Sequence, residues 1–119
     1  MKDFRDLKVR EKVHSLPLEV YKITKNFPKE ELYGLAPEMR RSSSSIATNI
    51  AEGCGRNSVA DFARFLQIAI GSASEREYQT QLVYDLEIIC NEDFSKLSNG
   101  VIQIKKMLTK HIQNLTAEY

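Results

Sequence analysis

A chain of 119 residues, 42% hydrophobic and 28% charged, has the composition of one globular domain spanning 1–119. A net charge of +1 excludes strong steering of the whole molecule toward nucleic acid or a membrane surface. No apolar run approaches the ~20 residues of a membrane span.

Charge by segment is more informative. Residues 1–29 carry eight Lys/Arg against four Asp/Glu, a local charge of +4. Residues 57–92 carry two against six, and residues 93–119 four against two. The ends are basic and the third quarter is acidic, so the molecule is bipolar.

Helix 1 is predicted over about 6–26. Val9, Val13, Leu16, Val20, Ile23 and Phe27 recur at spacings of four and three, an apolar seam. Asp6 is placed to cap its start, with Asp3 as the other candidate. Pro17 falls inside the pattern, where a kink is expected and the helix continues because the seam stays in phase. Asn26-Phe27-Pro28 ends it.

The connection that follows holds Leu32, Tyr33 and Leu35, part of which should pack against the bundle. Helix 2 is predicted over 37–52, with Pro37 near its first position and Gly53 in the C-cap place. Met39, Ser43, Ile46 and Ile50 form its seam. Ser42-Ser43-Ser44-Ser45 is a thin waist of mediocre helix formers that needs support from neighbouring helices.

Ser58 with Asp61 three residues on starts helix 3, predicted over 58–90. Phe62, Leu66, Ala69 and Ala73 continue the seam, while Phe65, Ile68, Leu82, Leu86 and Ile89 lie off it. A helix apolar on more than one side points to a second neighbour, here another subunit. Helix 4 is predicted over 94–116, with Phe94, Leu97, Val101, Ile104, Leu108, Ile112 and Leu115 as its seam and Gly100 as a soft or crowded spot. The fold class is all-α, an up-down-up-down antiparallel four-helix bundle, with basic helices 1 and 4 adjacent and helix 3 across from helix 1.

Several groups carry candidate chemistry. Lys8, Arg10, Lys12, Lys22 and Lys25, with Lys105, Lys106 and Lys110, form a surface for an anionic partner or a solvated lysine face. Arg40 and Arg41 open helix 2 beside the serines, to contact phosphate or to pair with acids. Gly53-Cys54-Gly55-Arg56 before helix 3 reads as a cap and turn more readily than as an anion cradle. Asn49 and Glu52 sit close to the helix 2 seam, and Glu77 falls in the seam of helix 3. A buried carboxylate at Glu52 or Glu77 would serve as a general acid or base, or answer Arg56, Arg64 or Arg76.

Cys54 and Cys90 match no metal or redox spacing and read as free buried thiols. His14 and His111 are single and far apart in sequence, and a metal site needs more ligands than that at usable spacing. No hydrolase, zinc-protease or paired C-x-x-C motif is present, so no catalytic residue, cofactor or metal is expected, nor an enzyme. The N-terminal Met1–Asp6 lacks the apolar core of a signal peptide, and a cytoplasmic location is expected.

The motifs also carry a resemblance. They are Phe4-x-x-Leu7-x-Val9, Phe27-Pro28-x-x-Glu31-x-Tyr33-Gly34-Leu35, Met39-Arg40-Arg41, and Ser45-Ile46-x-x-Asn49-Ile50-Ala51-Glu52-Gly53 followed by Arg56. Gly71-Ser72-Ala73-x-Glu75-x-Glu77 completes the set. Over nearly the whole chain these resemble the bacterial "four helix bundle protein" family. That family includes proteins encoded in intervening sequences of large-subunit ribosomal RNA, often labelled S23 ribosomal protein. It also includes the accessory variability proteins of diversity-generating retroelements. The resemblance implies a four-helix bundle assembled as a ring-like homopentamer. In the retroelement branch, it implies a basic ring that binds a reverse transcriptase and nucleic acid.

The leading expectation is a non-enzymatic oligomeric bundle offering a basic face to RNA, DNA or a nucleic-acid-bound protein. The alternative is a protein-only scaffold whose basic and acidic faces meet between subunits. A third, weaker reading is an enzyme with acidic groups at Glu52 and Glu77.

Overall fold

A computed structural model describes residues 3–118, apart from the side chains of Asp6 and Glu118. Among these residues there are four α-helices and no strand. They are α1 (Arg10–Thr24), α2 (Leu35–Cys54), α3 (Val59–Asp85) and α4 (Asn91–Glu118). Short 3-10 turns at Phe4–Asp6 and Lys29–Glu31 precede α1 and α2.

The helices run antiparallel in sequence order and close a ring, α1 against α2 and α4, and α3 against α2 and α4. Cross-helix pairs fix that direction. Arg40 reaches back to Thr24, Ser45 meets Ser72, Tyr84 stacks on Phe94, and Lys12 bonds Gln103. The bundle is long and thin, 48 × 21 × 19 Å. No helix among the described residues is long and apolar enough to cross a membrane.

The predicted seams are the core. Val13, Val20, Met39, Ile46, Ile50, Leu66, Ala69, Ala73, Leu97, Val101, Ile104 and Leu108 are all buried in one cluster. The helix ends differ from the sequence reading, each for a local reason. At the start of α1 the Asp3 carboxylate accepts from the Arg5 amide at 2.9 Å and caps a 3-10 turn instead. Leu7 is then extended, so the α-helix begins only after Val9. The Asp6 cap lies outside the described side chains. The helix continues through Pro17 as its seam requires.

Helix α2 begins two residues early, at Leu35. Pro37 therefore stands third, where its missing N–H still lacks an intrahelical acceptor. Leu35 packs on the core, but Tyr33 is 95% exposed, so only part of the connection joins the bundle. At the other end Gly53 is helical and buried rather than a cap, and Gly55 closes the helix. A Cβ on Gly53 would stand 2.8 Å from Phe65 Cβ and 3.1 Å from Phe62 Cδ1. The glycine is there because α3 passes too close for any side chain.

The serine run is satisfied locally and across this same contact. Ser43 Oγ donates to the Met39 carbonyl at 2.7 Å, and Ser42 Oγ donates to Gln79 Oε1 at 2.7 Å. Such back-bonding removes the penalty of burying a hydroxyl.

Ser58 caps α3 as predicted, accepting from the Asp61 amide at 3.1 Å. The helix ends at Asp85, five residues before the predicted boundary. There the Ile88 amide donates to the Val83 carbonyl and the Glu87 amide to the Tyr84 carbonyl, both at 2.9 Å. This is a Schellman turn with a glutamate at φ 62 where glycine is usual. Ile88 and Ile89 fold back on the core after the turn, which explains their apolar spacing. α4 starts at Asn91, three residues before the predicted boundary. Cys54 is buried as expected, whereas Cys90, beside this turn, is exposed.

Candidate functional site

The structure sorts the predicted cations into two groups. Four are occupied within the bundle. Arg40 Nε donates to Thr24 Oγ1 at 2.9 Å, and its guanidinium lies 4.6 Å from the Tyr21 ring, so it ties α2 to α1. Arg41 pairs with Glu75 on α3. Arg56 binds Glu52 at 2.8 Å and covers the Phe65 ring at 4.6 Å. Lys105 Nζ meets Glu77 Oε1 at 2.8 Å.

The second group is free of such pairing. Lys8, Arg10, Lys22, Lys25, Lys106 and Lys110 are exposed and make no ion pair among the described residues. Lys12 donates to neutral Gln103 at 2.8 Å. That bond sets the start of α1 beside the middle of α4, and the antiparallel run carries Lys106 and Lys110 toward Arg10 and Lys8. Lys22 and Lys25 stand apart, about 20 Å along α1 at ~1.5 Å per residue. The predicted basic face is thus split, and its denser part is one end of the molecule.

A cleft opens at that end, between the N-terminal segment and the last turns of α4. Leu7, Lys8, Val9, Met107, Lys110, His111 and Asn114 surround about 380 Å³. The His111 ring stands edge-on to Phe62, with centroids 5.4 Å apart. A second groove of about 310 Å³ runs between α1 and α4 over Gly100. Glu11, Lys12, Glu19 and Lys96 line that groove with both signs of charge.

Some of the signature residues play structural roles within this chain. Asn49 Nδ2 donates to the Ser45 carbonyl at 2.8 Å and to Ser45 Oγ at 3.0 Å. Ile50 is core, while Ala51 and Glu52 are exposed. Glu52 therefore lies outside the apolar seam. Gly71 is exposed, and a Cβ there would meet nothing within 4 Å. Packing within this chain does not require that glycine.

Glu77 is half-buried and paired, and the residue in the α3 seam is its neighbour Arg76. Arg76 is wholly buried. Its Nη1 donates to Thr80 Oγ1, while Nε and Nη2 have no hydrogen-bond partner among the described residues. Burial pushes its guanidinium down to about 10. Stepping three residues on from Ala73 leads to Arg76, so the seam spacing could have found it. Sequence reasoning followed the carboxylate instead. Among the described residues no three His, Cys, Asp or Glu side chains gather to hold a metal ion.

Comparison with known proteins agrees with this architecture. Residues 5–110 match the family described as 23S rRNA-intervening sequence protein. A solved structure from Bacteroides thetaiotaomicron, described as a protein with unknown function from the S23 ribosomal protein family, is 30% identical. It superposes with a TM-score of 0.79, over 87% of this chain and 97% of that one. No curated protein matches the chain.

Proposed function

The chain belongs to the 23S rRNA-intervening sequence protein family, and from that premise we propose a non-catalytic oligomeric bundle that binds RNA in the cytoplasm. The observation that carries this reading is the basic end: Lys8, Arg10, Lys106 and Lys110 are exposed and make no ion pair among the described residues, and Lys8 and Lys110 line one cleft. Unpaired lysines and arginines on one surface are what phosphate recognition uses, because each contact releases counterions from the nucleic acid.

Ile68, Tyr78 and Leu86 support the oligomeric half, being 40%, 64% and 53% exposed along the outside of α3. A second copy of the chain is the partner expected to cover them, and the family resemblance points to five copies. Multi-angle light scattering reads that number, and a monomer at all concentrations overturns it.

Gel-shift titration with structured RNA across a salt series tests the RNA half. Binding should strengthen steeply as salt falls. No binding even at low salt removes RNA as the partner. If assembly then dissociates in high salt, the protein-only scaffold replaces the reading.

A further inference from the structure

The cleft at the basic end combines two chemistries that a plain phosphate-binding surface does not need. Lys8 and Lys110 put two ammonium groups on its walls, and among the described residues neither makes an ion pair and no carboxylate lines the cleft. Leu7, Val9 and Met107 supply an apolar wall, and Asn114 adds an amide with both donor and acceptor atoms. Val9 is buried, and Leu7 and Met107 pack against the core, so this wall is anchored. His111, held edge-on against Phe62, completes the lining.

A volume of about 380 Å³ lies near the lower end of small-molecule pockets, enough for one compact ligand and too little for a chain. The ligand that uses every wall has a fixed negative charge at one end and a flat, weakly polar body at the other. An alkyl chain would leave Asn114 unused, and a bare anion would leave the apolar wall unused.

We infer that this cleft is a nucleotide pocket. It takes one nucleoside phosphate, with the phosphate between Lys8 and Lys110 and the base against Leu7, Val9 and Met107, its edge facing Asn114. The source is an unpaired nucleotide of RNA or a free nucleotide, which share this chemistry. The RNA source rests on the function proposed above.

NMR amide titration of the full chain tests it, with adenosine 5′-monophosphate, adenosine and inorganic phosphate as separate probes. The monophosphate should saturate, shifting residues 7–9 and 107–114, with phosphate and adenosine each at least roughly tenfold weaker. Lys8→Ala and Lys110→Ala are exposed changes expected to leave the fold intact, and each should weaken the monophosphate by roughly tenfold. Shifts elsewhere, no saturation, or phosphate binding as tightly as the nucleotide overturn the pocket. RNA gel shifts separate the two readings. RNA binding without nucleotide shifts sinks the pocket alone. Nucleotide shifts without RNA binding sink the RNA reading and leave a free-nucleotide pocket.

Discussion

Gly53 and Gly100 lie in helices on opposite sides of the bundle, and an added methyl group would meet different surroundings at each. On Gly53 it would run into Phe65 Cβ at 2.8 Å. On Gly100 its nearest neighbour is Leu16 Cδ1 at 3.7 Å, an ordinary contact beside an open groove. The α2–α3 side is closed by small residues, the Ser45–Ser72 pair and the Ser42–Gln79 bond. The α1–α4 side is held by longer polar links, Lys12–Gln103 and Lys96–Glu19. Close packing thus sits on one side and free charge gathers on the other.

The close side contains one element that works against it, and the largest effect is expected there. Arg76 is charged and buried, without a carboxylate partner among the described residues. Its folded-state value of about 10, well below that of a free guanidinium, means the charged form opposes folding at every pH under about 10. The penalty fades as pH rises above about 10. At ~1.4 kcal/mol per unit, Arg76→Met should stabilise the protein by on the order of 3 kcal/mol. Urea unfolding at pH 8 should show the full gain, and at pH 10.5 a smaller one. No gain at pH 8 would mean that the cation is satisfied when folded.

Gly53→Ala tests the close contact directly. Overpacking against Phe65 and Phe62 should outweigh the better helix propensity of alanine, for a net loss of about 1–2 kcal/mol by urea unfolding. The same substitution on the open side, Gly100→Ala, should raise stability by up to about 1 kcal/mol. Equal signs for these two changes would erase the contrast between the sides. The smallest effect is expected at the α3–α4 corner. There Glu87→Gly relieves a left-handed residue and should add about 0.5 kcal/mol, seen as a small rise in melting temperature.

Spacing alone made most of the bundle legible. The α4 seam from Phe94 to Leu115, the Ser58 cap and the order of helices around the ring follow from periodicity and short connections. The end of α3 was not legible, because Glu87 takes the turn that glycine or proline would have announced. Gly53 was legible as special but not as what it is. A glycine near a helix end looks like a cap until Phe62 and Phe65 are seen against it.

The sequence by itself determined the all-α class, the four seams and the family, since these depend on local periodicity and on strings of adjacent residues. Only the tertiary structure decided which charges are available. Arg40, Arg41 and Lys105 look like Lys8, Arg10 and Lys110 in the chain. They differ because Thr24, Glu75 and Glu77 arrive from other helices to engage the first three. Partners distant in sequence set the free surface, and local pattern carries no record of them.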